Sequence, residues 1–274
     1  MGEPQTVRSH GATPRLTPAA ALVAAALLAC AGCSREPVRG AGDTRVRVVA
    51  TTGIIADVAA RVGGSRVSIE SLMGPGVDPH LYKASAGDVR RLARADLVLY
   101  NGLHLEAAMG EVLEEMGHRK HTVAVTEWID RASLTAPPEF QGNYDPHVWF
   151  DVRLWMRAVQ RIEAAYSEAD SAHAAEYAER SRALLRELAE LDEWVHARVL
   201  EVAPQRRVLV TAHDAFGYFG RAYGFEVKGL QGISTASEAG TPAGTYVGMV
   251  RSNVETIVGA LKGAGATVTA MERE

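Results

Sequence analysis

The chain has 274 residues, enough for one large or two small domains. With 47% hydrophobic and 23% charged residues it has the balance of an ordinary globular protein, and a formal net charge of −4 without a Lys/Arg cluster excludes the basic surface of a nucleic-acid binder. Cysteine occurs only at Cys30 and Cys33, which removes both a disulfide framework and a cysteine-rich metal site from the folded part.

Arg8 and Arg15 precede an apolar, alanine-rich run from Leu16 to Ala29, the charged start and short hydrophobic centre of an export signal, and too short to span a membrane. The run ends in Leu27-Leu28-Ala29-Cys30-Ala31-Gly32-Cys33-Ser34, which resembles the lipobox of bacterial lipoproteins, with Cys30 or Cys33 as the lipidated residue. Residues 1–33 thus read as a lipoprotein signal peptide, and 34–44, polar with Pro37, Gly40 and Gly42, as a flexible tether.

From Val46 to Thr52 a β-branched run predicts a buried strand, followed by a helix over Ile54–Val62. Val67–Leu72, Asp96–Tyr100 and Thr122–Val125 predict further strands, alternating with helices over Ser85–Ala95 and Glu106–Met116. This alternation implies a mostly parallel sheet with helices on its faces. A loop over Ala136–Tyr144 leads to a helix over Val152–Tyr166 and then to a much longer helical pattern from about Ser171 to Val202, with Leu184, Leu188, Leu191 and Val195 at three- and four-residue steps. Strands are predicted at Arg207–Thr211 and Phe225–Leu230, and a last helix at about Thr245–Leu261. The expected organisation is an N-terminal α/β lobe over 45–150, a helical connection over 151–203 and an incomplete C-terminal α/β lobe over 204–274.

Three histidines stand in short, similar contexts: His80 in Asp78-Pro79-His80, His147 in Asp145-Pro146-His147 and His213 in Thr211-Ala212-His213-Asp214. Proline fixes its own φ and pushes the preceding residue into extended geometry, so two of the imidazoles are delivered by stiff loops. Imidazole nitrogens suit zinc and other borderline first-row ions, and three of them leave a position for a carboxylate or water. Of the other histidines only His104 is a plausible neighbour of such a site. Asp78 and Asp145 fit a role behind the ligands, holding a neighbouring group by hydrogen bond.

Gly76-Val77-Asp78-Pro79-His80, Ala95-Asp96-Leu97-Val98-Leu99-Tyr100-Asn101-Gly102, Asp145-Pro146-His147-Val148-Trp149-Phe150-Asp151, Thr211-Ala212-His213-Asp214-Ala215-Phe216 and Gly232-Ile233-Ser234-Thr235 together resemble the solute-binding lipoproteins of zinc and manganese ABC importers, the TroA-like metal receptors. The resemblance covers roughly Arg45 to Lys262. It implies two α/β lobes joined by one long helix. A divalent ion, zinc or manganese, lies between them on His80, His147 and His213. The implied partner is an ABC permease, and the implied protein is a lipid-anchored monomer on the outer face of the cytoplasmic membrane, in the periplasmic or extracellular space, a group that includes adhesion-associated members.

The family's fourth ligand, an Asp near the C-terminus, has no counterpart here. Ile233-Ser234-Thr235-Ala236-Ser237-Glu238-Ala239-Gly240 passes directly into Thr241-Pro242-Ala243-Gly244-Thr245-Tyr246, so that about two ~30-residue βα units are missing and the C-terminal lobe is expected to be undersized. The fourth position is then expected to hold water, with Glu238 the nearest carboxylate in sequence. Two other readings compete. One is an inactive, truncated remnant of such a receptor; the other is a three-histidine zinc hydrolase, against which stands the lack of any His-Glu-x-x-His motif. The expectation is a binding protein rather than an enzyme.

Overall fold

A computed structural model describes residues 44–211, 214–229, 244–262 and 268–270. The segment expected to be a signal peptide, with Cys30 and Cys33, almost all of the expected tether, His213 and Glu238 lie outside the described residues.

The first lobe is built on four parallel strands, β1 (Val46–Ala50), β2 (Val67–Ser71), β3 (Leu97–Tyr100) and β4 (His121–Ala124), in the order β2-β1-β3-β4. Register places Val48 beside Ile69 on one side and Leu97 on the other. Successive side chains of a strand point to opposite faces, and both faces of this sheet are covered, which is why the strands read as continuous apolar runs. Val48 and Ala50 join the main core, whereas Val49 and Val98 join a smaller cluster with Leu92, Leu113 and Met116. Those three come from helices α2 (Ala86–Arg94) and α3 (Gly110–Arg119), while α1 (Gly53–Gly63) lies against the main core. The helix expected from Glu106 starts only at Gly110, after a 3₁₀ turn over Ala107–Met109. The physical reason is Glu106 itself, whose side chain turns inward to the strand ends instead of facing solvent at a helix start.

Helix α4 (Val152–Ala169) is capped by Asp151, whose Oδ1 accepts from the backbone nitrogens of Arg153 and Leu154. Helix α5 (Ala174–Val199) has 26 residues and, at ~1.5 Å per residue, runs roughly 39 Å. Its first half is tied to the first lobe: Arg180 donates to the carbonyls of Val62 and Gly63 at the end of α1, and Glu176 pairs with Arg66. Its second half serves the other lobe, where Asp192 accepts from Tyr223 and from Arg153, and Arg198 pairs with Glu255.

The second lobe contains β5 (Val208–Thr211), α6 (Gly217–Tyr223), β6 (Glu226–Gly229), α7 (Tyr246–Lys262) and β7 (Val268–Ala270), with a parallel sheet in the order β6-β5-β7. Two of these elements were not expected from sequence. Strand β7 has only three residues and no alternating pattern; pairing of Leu209 with Val268 and of Thr211 with Ala270 makes it a strand. Helix α6 contains two glycines of low helical propensity. A Cβ at Gly220 would lie 2.8 Å from the Phe225 carbonyl oxygen, so glycine lets the helix approach the chain leading into β6. The two lobes share one core, in which Trp155, Tyr166, Tyr177 and Leu188 lie with Leu209, Tyr218 and Tyr246.

Candidate metal centre

Both Asp-Pro-His segments lie beyond the carboxyl ends of strands of the first sheet, His80 after β2 and His147 after β4, where open parallel sheets place their ligands. The two segments use one local device. Asp78 Oδ1 accepts from the backbone nitrogen of His80 at 2.8 Å, and Asp145 Oδ1 accepts from that of His147 at 2.9 Å. In each, the side chain two residues upstream closes an Asx turn around the proline.

Asp145 does more. Its Oδ1 also lies 2.7 Å from His147 Nδ1, and both residues are essentially buried. With Nδ1–H donating to the carboxylate, Nε2 carries the lone pair that can serve a ligand's role, the carboxylate–histidine arrangement common behind bound metals. That Nε2 faces His80 Nε2 at 3.1 Å. Two nitrogens each ~2.0–2.1 Å from one ion and 3.1 Å apart subtend roughly 100° at it, within the range for tetrahedral or octahedral coordination. Trp149 sets its ring edge-on to His147, with centroids 5.2 Å apart, and shields the imidazole from one side.

The second lobe reaches the same loop. Tyr218 of α6 donates to the Asp145 carbonyl at 2.9 Å and accepts from the Thr135 nitrogen, while Tyr246 at the start of α7 donates to the Trp149 carbonyl. A cavity of about 220 Å³ opens beside Pro79, Asn101 and Trp149 and is closed by Thr245 and Met249 of the second lobe.

The structure thus brings His80, His147 and Asp145 together. Asp78 holds the His80 backbone, and among the described residues no group of three or more His, Cys, Asp or Glu side chains converges on one point. His104 is exposed and does not join the pair. His121 is engaged by Glu168 and His173 by Asp170. Sequence reasoning missed Asn101, Glu106 and Tyr218 as supports of this loop. The usable signal was a carboxylate four residues past the Asn101-Gly102 that follows β3, with no Lys or Arg beside it in sequence.

The family model for the periplasmic component A of the zinc-uptake complex, ZnuA, matches residues 48–242. The manganese-binding lipoprotein MntA of Bacillus subtilis is 48% identical over 221 residues, covering 80% of this chain and 72% of its own length. The zinc-binding protein TroA of Treponema pallidum is 40% identical over an alignment of 280 positions that covers 81% of this chain and 90% of TroA. This chain supplies about 222 of those positions, leaving close to 60 in TroA without a counterpart. The solved structure of the periplasmic zinc-binding protein TroA superposes with a TM-score of 0.76, covering 80% of this chain and all of that one. On the extent of the family match and the identity to these relatives, the chain belongs to the ZnuA family of periplasmic metal-uptake components.

Proposed function

We propose that this protein is an extracytoplasmic substrate-binding protein that captures a divalent metal ion, zinc or manganese, between its two lobes and delivers it to an ABC permease. The observation that carries this reading is the His80–His147 pair, its Nε2 atoms 3.1 Å apart and one imidazole oriented by a buried carboxylate. His213, two residues after the last residue of β5, is the third ligand in this reading, and water takes the fourth position, with Glu238, just beyond Ile233-Ser234-Thr235, as the nearest candidate carboxylate in sequence. Losing an anionic ligand leaves more net charge on the ion and a more acidic bound water. The domain reading carries over: a lipoprotein signal over 1–33, a tether over 34–44, a metal-binding lobe over 45–150, a helical connection over 151–203 and a shortened lobe over 204–274. Among the described residues no helix is long and apolar enough to cross a membrane, and a lipid on Cys30 or Cys33 supplies attachment in this proposal.

Calorimetric titration with zinc and with manganese tests the site. One ion is expected to bind per chain. Replacement of His80, His147 or His213 by Ala should weaken binding by at least ten-fold, while His121→Ala leaves it unchanged. Binding should fade in acid, because a metal ligand must be deprotonated and protons compete with the ion for it. Equal losses for His121→Ala and His147→Ala would refute the assignment. The anchor has its own test: a fatty-acid analogue should label the wild type and not the double Cys30→Ser, Cys33→Ser variant, and persistent labelling would rule out both cysteines.

A truncated remnant of such a receptor is the second reading, favoured by the positions absent relative to TroA. It predicts a chain that melts at the same temperature with and without metal.

A further inference from the structure

Behind the Asp-Pro-His147 loop lies a buried polar relay that reaches from the strand ends to that loop. Glu106 is 3% exposed and forms no ion pair among the described residues; its Oε1 accepts from the Thr51 hydroxyl at 2.7 Å and from the Asn101 nitrogen at 2.7 Å, and its Oε2 from the Gly102 nitrogen at 3.2 Å. Thr51 follows β1 and Asn101 follows β3, so one carboxylate ties two adjacent strand ends. Burial pushes the Glu106 carboxyl up, against the hydrogen bonds it accepts. The loop it closes is strained: Gly102, Leu103 and His104 have φ of 84°, 54° and 64°, three successive left-handed residues of which two carry a Cβ. Such strain persists only where surrounding contacts over-determine it, and it clusters at functional sites.

The loop is directed at one place. Asn101, 1% exposed, uses its side-chain amide to donate to the Gly102 carbonyl and, at 3.1 Å, to the carbonyl of Pro146. Pro146 is bonded to His147, and its carbonyl belongs to the peptide whose nitrogen is held by Asp145. The peptide preceding His147 is therefore gripped from both ends, by Asp145 at its nitrogen and by Asn101 at its oxygen.

We infer that Asn101, held by Glu106, is a positioning residue for His147: it sets the plane of the Pro146–His147 peptide and thereby the direction of Nε2 toward His80. Side chains that orient a ligand without touching the ion are worth about ten- to a hundred-fold in metal affinity. This inference rests on the metal-site reading above, and the test separates the two.

The experiment measures zinc affinity by competition with a chromophoric chelator and the visible spectrum of the cobalt(II) form. The proteins are the wild type, Asn101→Ala, the isosteric Asn101→Asp, His147→Ala and the control Tyr166→Phe. The control deletes a buried hydrogen bond to the Ala59 carbonyl, remote from the loop. Melting of each metal-free variant records the purely structural cost. Asn101→Ala is expected to bind zinc at least ten-fold more weakly and to shift the cobalt bands, while Tyr166→Phe loses stability and keeps affinity and spectrum. Asn101→Asp keeps the shape but turns an acceptor toward the Pro146 carbonyl, so it should behave like Asn101→Ala, and it serves if the alanine variant does not fold. Wild-type affinity and bands in whichever Asn101 variant folds overturn the inference, as does a loss in step with melting that Tyr166→Phe shares. Failure of both variants to fold also overturns it, because Asn101 would then be a determinant of folding. Unchanged binding in His147→Ala would instead remove the metal-site reading itself.

Discussion

The residues that matter most to the site are placed by bonds spanning two positions. Asp145 and Asp78 each close a turn onto the histidine two residues on, and Asp145 alone also takes the ring nitrogen. The repeated Asp-Pro-His made this half of the site legible in sequence, because the physics is local: a proline, a short carboxylate and a ligand in three residues. The strained loop was not legible, since a left-handed Leu103 and His104 follow from what surrounds them. His104 is exposed and its φ is 64°. Glycine removes the Cβ clash of the left-handed region at some cost in chain entropy, so His104→Gly should raise unfolding free energy by about 0.5–1 kcal/mol. Urea unfolding measures this; a less stable variant would mean that the imidazole makes contacts worth more than the strain.

Among the elements, α2 shows how a short helix is held at its start. Its capping box pairs Asp88 with the Ser85 backbone at 2.7 Å, Ser85 Oγ with the Asp88 nitrogen at 3.2 Å, and adds the Tyr82 hydroxyl at 2.8 Å and Arg91. Burial by itself would raise the Asp88 carboxyl, but the hydrogen bonds from Ser85, Tyr82 and Arg91 prevail and hold it at about 2, against 3.8 for the free group. A depressed folded-state value stabilises the native state above the unfolded value, and that contribution is lost as pH falls through the folded one. The shift corresponds to about 2 kcal/mol. Unfolding free energy should therefore drop between pH 4 and pH 2 by about that amount more in the wild type than in Asp88→Asn, and parallel pH profiles would show that Asp88 contributes nothing to acid stability. Ser85 and Asp88 three apart before an apolar stripe are a sequence signature, and the helix was expected within a residue of where it lies. Helix α6 and strand β7 were not, because one depends on a glycine for close approach and the other on a partner strand.

At the scale of the molecule, α5 braces both lobes, and the second lobe holds the loop from Asp145 to Trp149 through Tyr218 and Tyr246. An ion bound to such a frame stabilises the whole of it. Zinc at a hundred times its dissociation constant adds about 2.7 kcal/mol, which for a unit of this size raises the melting temperature by roughly 5–10 °C. Calorimetry should show this rise in the wild type and its absence in His147→Ala. A wild-type melt indifferent to metal would favour the remnant over the receptor.

The alternation of β-branched runs with amphipathic stripes, the long heptad-like run of α5 and the Asp-Pro-His repeats were enough to specify parallel α/β architecture, one unusually long helix and two histidines on stiff loops, since each depends on periodicity or on neighbours within a few residues. Which nitrogens meet, how Glu106 ties Thr51 to the loop after β3 and how Asn101 reaches the Pro146 carbonyl depend on segments about 45 to 70 residues apart. So does the third strand of the second lobe, whose pairing with β5 crosses more than 50 residues. Contacts of that range leave no period in the chain; they exist only once packing has carried the strand ends to one edge of the sheet.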